Sequence, residues 1–135
     1  MQTEDSPNTA VVVADNRETV LQAVSTTLEK AGFTILPASS GAEALKYCRE
    51  SPRPVGLAII DTGTSGLNAA ELVGQLDAFS PEMRTLFLTG EDEEESLRGV
   101  GASGHIRGFL RKPFRRAQLL GQVLEMMDRP LVVTA

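Results

Sequence analysis

Polar side chains that could bind a metal or take part in a reaction follow three separate apolar segments of the chain. Asp61 ends the most apolar run in the middle of the sequence, Asp15 and Asn16 follow a run of three valines, and Lys112 follows a short apolar stretch. The carboxyl ends of parallel strands meet at one edge of a sheet. Carboxylate and amide oxygens are ligands that Mg²⁺ prefers, and a lysine offers a point charge to a phosphoryl oxygen. The sequence therefore predicts a site for a divalent metal and a phosphoryl group.

Composition limits the class of protein. The chain has 135 residues, 41% hydrophobic and 23% charged, which predicts one ordinary globular domain. Its formal net charge of -5 argues against nucleic-acid binding. The single cysteine, Cys48, allows no intrachain disulfide and favours a reducing compartment. With no signal-peptide pattern and no apolar run of membrane-spanning length, we expect a cytoplasmic domain over residues 9–128, with flexible ends at 1–8 and 129–135.

Apolar runs alternate with helical patterns along the chain. The predicted strands are 10–14, 33–36, 55–60, 85–88 and 107–111, and the predicted helices are 17–31, 41–50, 67–78, 92–100 and 114–128. Repeated β-α units form a parallel sheet with helices on both faces, and strands this apolar suit such a sheet. The predicted fold class is therefore α/β, with a doubly wound sheet of five strands.

Four local predictions follow from residue type. Pro37 should close the second strand, and Ser40 should cap the helix that follows it. Cys48 lies in a helical pattern, where a buried and inert thiol is expected. The last helix should turn five apolar side chains inward: Leu119, Leu120, Val123, Leu124 and Met127.

Five positions within this alternating pattern carry polar or aromatic side chains in or after the predicted strands: Asp15-Asn16, Asp61, Thr89, Phe109 and Lys112-Pro113. With these residues in register, the chain resembles, over about residues 9–128, the receiver domain of two-component response regulators. The resemblance implies a flavodoxin-like sheet with strand order 2-1-3-4-5.

The resemblance also implies a phosphoacceptor and its metal. Asp61 falls at the position of the phosphorylated aspartate. A carboxylate approaching a charged phosphoryl donor needs a divalent cation to screen the repulsion. Asp15, Asn16, Asp61 and the backbone carbonyl of Gly63 fall at the positions that hold Mg²⁺ in the family.

Four further positions gain roles from the same resemblance. Thr89 and Lys112 fall where receivers bind the oxygens of the phosphoryl group. Thr89 and Phe109 fall at the pair that switches the output face. A cis peptide bond is expected before Pro113, since the family places one there.

The function implied is Mg²⁺-dependent acceptance of a phosphoryl group by Asp61 from a phosphohistidine, in a two-component phosphorelay. The expected partner is a histidine kinase or a histidine phosphotransfer domain, with a homodimer also open. The domain accepts a phosphoryl group and is not expected to be an enzyme in its own right. A stand-alone regulator and a receiver excised from a hybrid kinase both remain open, and residues 38–45 and 110–114 resemble the hybrid-kinase type.

Two departures from the family pattern support an alternative function. Asn16 stands where most relatives have a second acid, and Ser65 stands where a proline stiffens the loop. One formal charge fewer should weaken metal binding by roughly tenfold. The alternative is therefore a degenerate receiver that acts as a phosphorylation-independent protein-interaction module.

Three other classes share single features with the chain. Residues 58–65 closely resemble the active-site segment of pepsin-like aspartic proteases, but those folds are almost wholly β and need two aspartates that share a proton. A flavodoxin-like FMN module would need a phosphate-binding loop after the first strand, where this chain carries mostly acidic side chains. An aspartyl phosphatase would need a second acid two residues after Asp61, where Gly63 stands.

Overall fold

The computed structural model describes residues 9–63, 69–79, 82–90 and 107–128. Within these ranges five strands and four helices follow one another as β1 Ala10–Ala14, α1 Glu18–Lys30, β2 Thr34–Ala38, α2 Gly41–Glu50, β3 Val55–Asp61, α3 Ala69–Phe79, β4 Arg84–Thr89, β5 Arg107–Arg111 and α4 Arg116–Asp128. The predicted helix over 92–100 lies outside the described residues. In the part that is described, no helix has the length and apolar character that a membrane span requires.

The five strands form one parallel sheet in the order β2-β1-β3-β4-β5. This arrangement confirms the predicted doubly wound α/β fold and its strand order. It also contradicts the protease alternative, because an almost wholly β fold has no place for four helices packed on a parallel sheet. The register pairs Ala14 with Ile60 and Asp61 with Leu88, so the carboxyl ends of β1, β3 and β4 lie side by side.

Helices bury both faces of the sheet. Alternate side chains of the central strands enter two separate hydrophobic clusters, with Val12, Ile60 and Phe87 in one, and Val13 and Ile59 in the other. Every residue of β1 is buried, as is typical of a parallel strand covered on both sides. The site edge is therefore supported by strands that have little freedom to move.

The second strand continues further than predicted. Pro37 lies inside β2, which runs to Ala38, although we expected proline to end this strand. Because β2 is at the edge of the sheet, a residue without an N–H can face solvent there at little cost. The other predicted bounds differ by at most two residues, and the last helix begins at Arg116 rather than at residue 114.

The buried face of α4 differs from the prediction at two positions. Leu124 is exposed, whereas Met126 is fully buried beside Leu119 and Val123. Positions 119, 123 and 126 repeat at four and three residues and so lie on one helical face. The predicted inward position of Leu124 was therefore wrong, because it belongs to a face turned toward solvent.

Two local predictions are confirmed. Ser40 Oγ accepts a hydrogen bond from the Glu43 N–H at 3.1 Å, and Glu43 in turn accepts one from the Ser39 N–H at 2.7 Å. The first bond caps α2 at Ser40, and the second ties the Glu43 side chain to Ser39, the residue before the cap. Cys48 is buried, and burial raises the pKa of its thiol to about 11, so the thiol is unreactive at neutral pH.

Candidate functional site

Asp61 is the last residue of β3 and lies between the ends of β1 and β4. Its side chain is only 1% exposed. Oδ1 accepts hydrogen bonds from Lys112 Nζ at 2.9 Å and from the Gly63 N–H at 2.8 Å. A buried carboxylate held by one cation and one backbone donor is oriented and kept charged.

Asp15 follows β1 directly and is buried as deeply as Asp61. Its backbone N–H donates to the Ala38 carbonyl at 3.0 Å, which fixes the chain at the edge of the sheet. Its Oδ1 accepts the N–H of Arg17 at 2.9 Å. Its Oδ2 is buried without a hydrogen-bond partner among the described residues. An unsatisfied buried carboxylate oxygen costs stability, which indicates that the site is built for a further ligand.

Arg17 also belongs to the site, although the sequence analysis did not single it out. Its Nη2 donates to Asp61 Oδ2 at 2.7 Å, and its Nε lies 3.5 Å from Asp15 Oδ1. The side chain is 52% exposed. The available signal was its position two residues after Asp15, from which a long side chain can reach the neighbouring strand end.

The two carboxyl groups are shifted in opposite directions. Burial raises the pKa of Asp15, and the neighbouring Asp61 carboxylate adds to the rise, against a lowering by the Arg17 N–H. For Asp61, burial also favours the neutral form, but hydrogen bonds from Lys112 and Gly63 outweigh it and lower the pKa. When the pair binds a proton, Asp15 therefore takes it, and Asp61 remains ionised.

Lys112 reaches Asp61 from the end of β5. Its backbone N–H donates to the Thr89 carbonyl at 2.9 Å, and the bond between Lys112 and Pro113 is cis. The side chain is 27% exposed. Lys112 therefore joins the ends of β4 and β5 through its backbone and the end of β3 through its ammonium group.

Thr89 and Phe109 lie on neighbouring strands but in different surroundings. Thr89 ends β4 with no exposed surface, and its hydroxyl has no hydrogen-bond partner within the described part of the chain. Phe109 is half-buried in β5 and stacks on Phe87, with ring centroids 5.4 Å apart and planes inclined by 23°. The structure thus places Thr89 at the site edge, whereas Phe109 packs against the core.

The two remaining predicted ligands lie in loops at the same edge. Asn16 is exposed between β1 and α1. The backbone of Gly63 passes close to the carboxylate, since a Cβ at that position would lie 3.3 Å from Asp61 Oδ1. Direct contacts therefore join Asp61 to Gly63, Lys112 and Arg17.

These donors suit a hard divalent cation. Two carboxylates at one edge, one with an unpaired buried oxygen, offer oxygen ligands of the kind Mg²⁺ takes while it keeps several waters. Among the described residues no three His, Cys, Asp or Glu side chains converge, so beyond the two carboxylates these residues could offer a metal only neutral oxygens. The donor set fits Mg²⁺.

Known proteins share this architecture and sequence pattern. Sensor kinase CckA of Brucella abortus (strain 2308) is 28% identical over 94% of this chain and 13% of its own length. The regulatory protein PhoP of Bacillus subtilis (strain 168) is 28% identical over 90% of this chain and 50% of its own length. The chain thus spans half or less of these two relatives.

A solved structure and a family model agree with those relatives. The chemotaxis response regulator CheY4 of Vibrio cholerae superposes with a TM-score of 0.74 at 26% identity, covering 87% of this chain and 97% of that one. The family model for the response regulator receiver domain matches residues 11–124. The chain therefore belongs to the response regulator receiver domain family of two-component systems.

Proposed function

We propose that the chain accepts a phosphoryl group from a phosphohistidine onto Asp61 and that the step depends on Mg²⁺. The observation that carries the proposal is the buried Asp61 carboxylate with its lowered pKa, held on one oxygen by Lys112 and Gly63. Its other oxygen is contacted by a half-exposed side chain that can move into solvent. A carboxylate oxygen forms the new O–P bond, while the P–N bond breaks and the imidazole leaves with the electron pair.

The metal supplies positive charge that screens the carboxylate from the incoming phosphoryl group. Asp15, Asn16, Asp61 and the Gly63 carbonyl would hold it. The Oδ2 of Asp15 supports this assignment, because coordination would satisfy a buried oxygen that has no hydrogen-bond partner in the described part of the chain.

Two side chains would then receive the phosphoryl oxygens. Lys112 already contacts Asp61 Oδ1, so its ammonium group is close enough to donate to an oxygen of a phosphoryl group on Asp61, and its charge would stabilise the added negative charge. The Thr89 hydroxyl is the second donor, supported by its burial at the site edge, where no described residue forms a hydrogen bond with it. Movement of Thr89 toward the phosphoryl group would leave room beside Phe109 and bias a pre-existing equilibrium of the output face.

The partner that this chemistry requires is a histidine kinase or a histidine phosphotransfer domain. The sensor kinase and the regulatory protein to which the chain is similar both contain a segment of this kind. One feature of the sequence and one of the structure support the alternative of a degenerate receiver. Asn16 removes one acid from the expected metal ligands, and Arg17 adds a cation to the carboxylate pair.

Intact-mass measurement after incubation with acetyl phosphate and Mg²⁺ tests the proposal. The wild-type chain should gain one phosphoryl group, whereas Asp61→Asn and wild type in excess chelator should gain none. An undiminished gain in Asp61→Asn would refute the assignment of the phosphoacceptor. No gain in wild type at any Mg²⁺ concentration would favour the degenerate receiver.

A further inference from the structure

Arg17 and Lys112 hold the phosphoacceptor carboxylate from two sides. Lys112 Nζ contacts Asp61 Oδ1 at 2.9 Å, whereas Arg17 Nη2 contacts Asp61 Oδ2 at 2.7 Å. The guanidinium also faces Asp15, with Nε 3.5 Å from Oδ1. Arg17 therefore lies between the two carboxylates, which is where a cation that bridges them would bind.

The formal charges of these four side chains cancel. Asp15 and Asp61 contribute two negative charges, and Arg17 and Lys112 contribute two positive charges. A divalent cation approaching this group meets no net attraction while Arg17 stays in place. If the guanidinium swings away, the remaining three side chains carry a net negative charge.

The two cations differ in their freedom to move. The Arg17 side chain is 52% exposed, compared with 27% for Lys112. The backbone N–H of Lys112 donates to the Thr89 carbonyl, which fixes the residue at the ends of β4 and β5. Arg17 can therefore exchange its carboxylate contacts for water at lower cost than Lys112 can.

From these contacts we propose that Arg17 is an internal counterion that competes with the divalent metal for Asp15 and Asp61. Metal binding displaces the guanidinium into solvent, and loss of metal restores it. The domain then binds metal only at concentrations high enough to displace Arg17, which makes this residue one determinant of its metal affinity. This inference rests on the proposed function, since it concerns the metal of the same site.

A Mg²⁺ titration at constant ionic strength, followed by the amide NMR signal of Gly63, tests the competition without any turnover. Arg17→Gln removes the charge and keeps a polar side chain, and it should tighten Mg²⁺ binding by about tenfold, or about 1.4 kcal/mol. Arg17→Lys keeps the charge but loses the forked guanidinium group that reaches both carboxylates. The Mg²⁺ affinity of this variant should therefore lie between those of wild type and Arg17→Gln.

Arg49→Gln is the matched control for charge. Arg49 is exposed in the last turn of α2, which ends just before β3 begins and so lies at the opposite edge of the sheet from the site. Its Mg²⁺ affinity should equal that of wild type. In wild-type protein the Arg17 Nε–H signal should also move toward its solvent-exposed position as Mg²⁺ saturates.

The outcomes separate this inference from the proposed function. Equal affinities in wild type and Arg17→Gln, with binding lost in Asp61→Asn, would overturn the role of Arg17 and leave the metal site standing. An Arg17 Nε–H signal unchanged at saturation would also overturn it. Absence of Asp61-dependent binding in every variant would refute the proposed metal-dependent function and this inference with it.

Discussion

Removal of the Lys112 charge should reveal how the buried Asp61 carboxylate is stabilised. In Lys112→Met, Asp61 loses its ammonium partner at 2.9 Å but keeps the Gly63 N–H and Arg17. Two opposite charges about 4 Å apart attract by about 4 kcal/mol at an effective dielectric constant near 20. Desolvation offsets much of this, and hydrogen bonds to charged groups contribute about 1.5–3 kcal/mol net. We expect Lys112→Met to lower the free energy of unfolding by about 2 kcal/mol.

Arg17 should contribute less on its own and more when Lys112 is absent. Its side chain is half-exposed, so Arg17→Gln should lower the free energy of unfolding by less than about 1 kcal/mol. The double variant leaves the Asp61 carboxylate buried without any of these cations. Its loss should exceed the sum of the single losses by about 1 kcal/mol, because each cation partly compensates for the other.

The loss of unfolding free energy in these variants should depend on pH in a direction set by the pKa of Asp61. The pKa of Asp61 is lowered below its usual 3.8, so its ionised form stabilises the fold above that value and the contribution is lost as the pH falls through the lowered pKa. Urea unfolding followed by circular dichroism should therefore show the full loss at pH 7 and a much smaller loss near pH 3. Equal losses at both pH values, or strict additivity of the two substitutions, would refute this account of the site.

Three further predictions concern separate parts of the structure. Asp15→Asn should raise the free energy of unfolding by about 1 kcal/mol at pH 7, because the raised pKa of Asp15 means that its ionised form costs stability. The gain should disappear well below pH 3.8, and a variant less stable than wild type to urea at pH 7 would contradict this. Beryllofluoride should shift the Phe109 amide signal much less in Thr89→Ala than in wild type, and equal shifts would exclude Thr89 from the switch. Asp77→Ala should cost about 3–5 kcal/mol in urea unfolding, since it leaves the largely buried Arg107 side chain, 2.6 Å away, without this carboxylate. A loss below about 1 kcal/mol would show that the pair contributes little.

The fold class and the location of the site could be predicted because they depend on local pattern and on position along the chain. Asp15, Asp61 and Lys112 follow apolar strands, and parallel strands bring their carboxyl ends to one edge regardless of side-chain detail. Alternation of apolar runs with helical patterns was sufficient for the fold class. The strand order came from the family resemblance and not from the pattern.

The missed features depend on tertiary contacts. The position of Arg17 two residues after Asp15 places it near the strand ends, but its partner Asp61 lies 44 positions away, and only the folded chain shows that the two side chains meet. Leu124 and Met126 are both apolar and two residues apart, so only the rotation of α4 against the sheet decides which one is buried. Pro37 was predicted to end its strand, but β2 can accommodate a proline inside the strand because β2 lies at the edge of the sheet.

Chemical trapping of the phosphorylated residue tests the central claim most directly. Borohydride reduces an acyl phosphate to an alcohol and so converts a phosphorylated aspartate into homoserine. After incubation with acetyl phosphate and Mg²⁺, reduction and peptide mass mapping should find homoserine at position 61 and at no other aspartate. Homoserine at Asp15 or elsewhere, or its absence from a chain that has gained a phosphoryl group, would contradict the assignment of Asp61 as the phosphoacceptor.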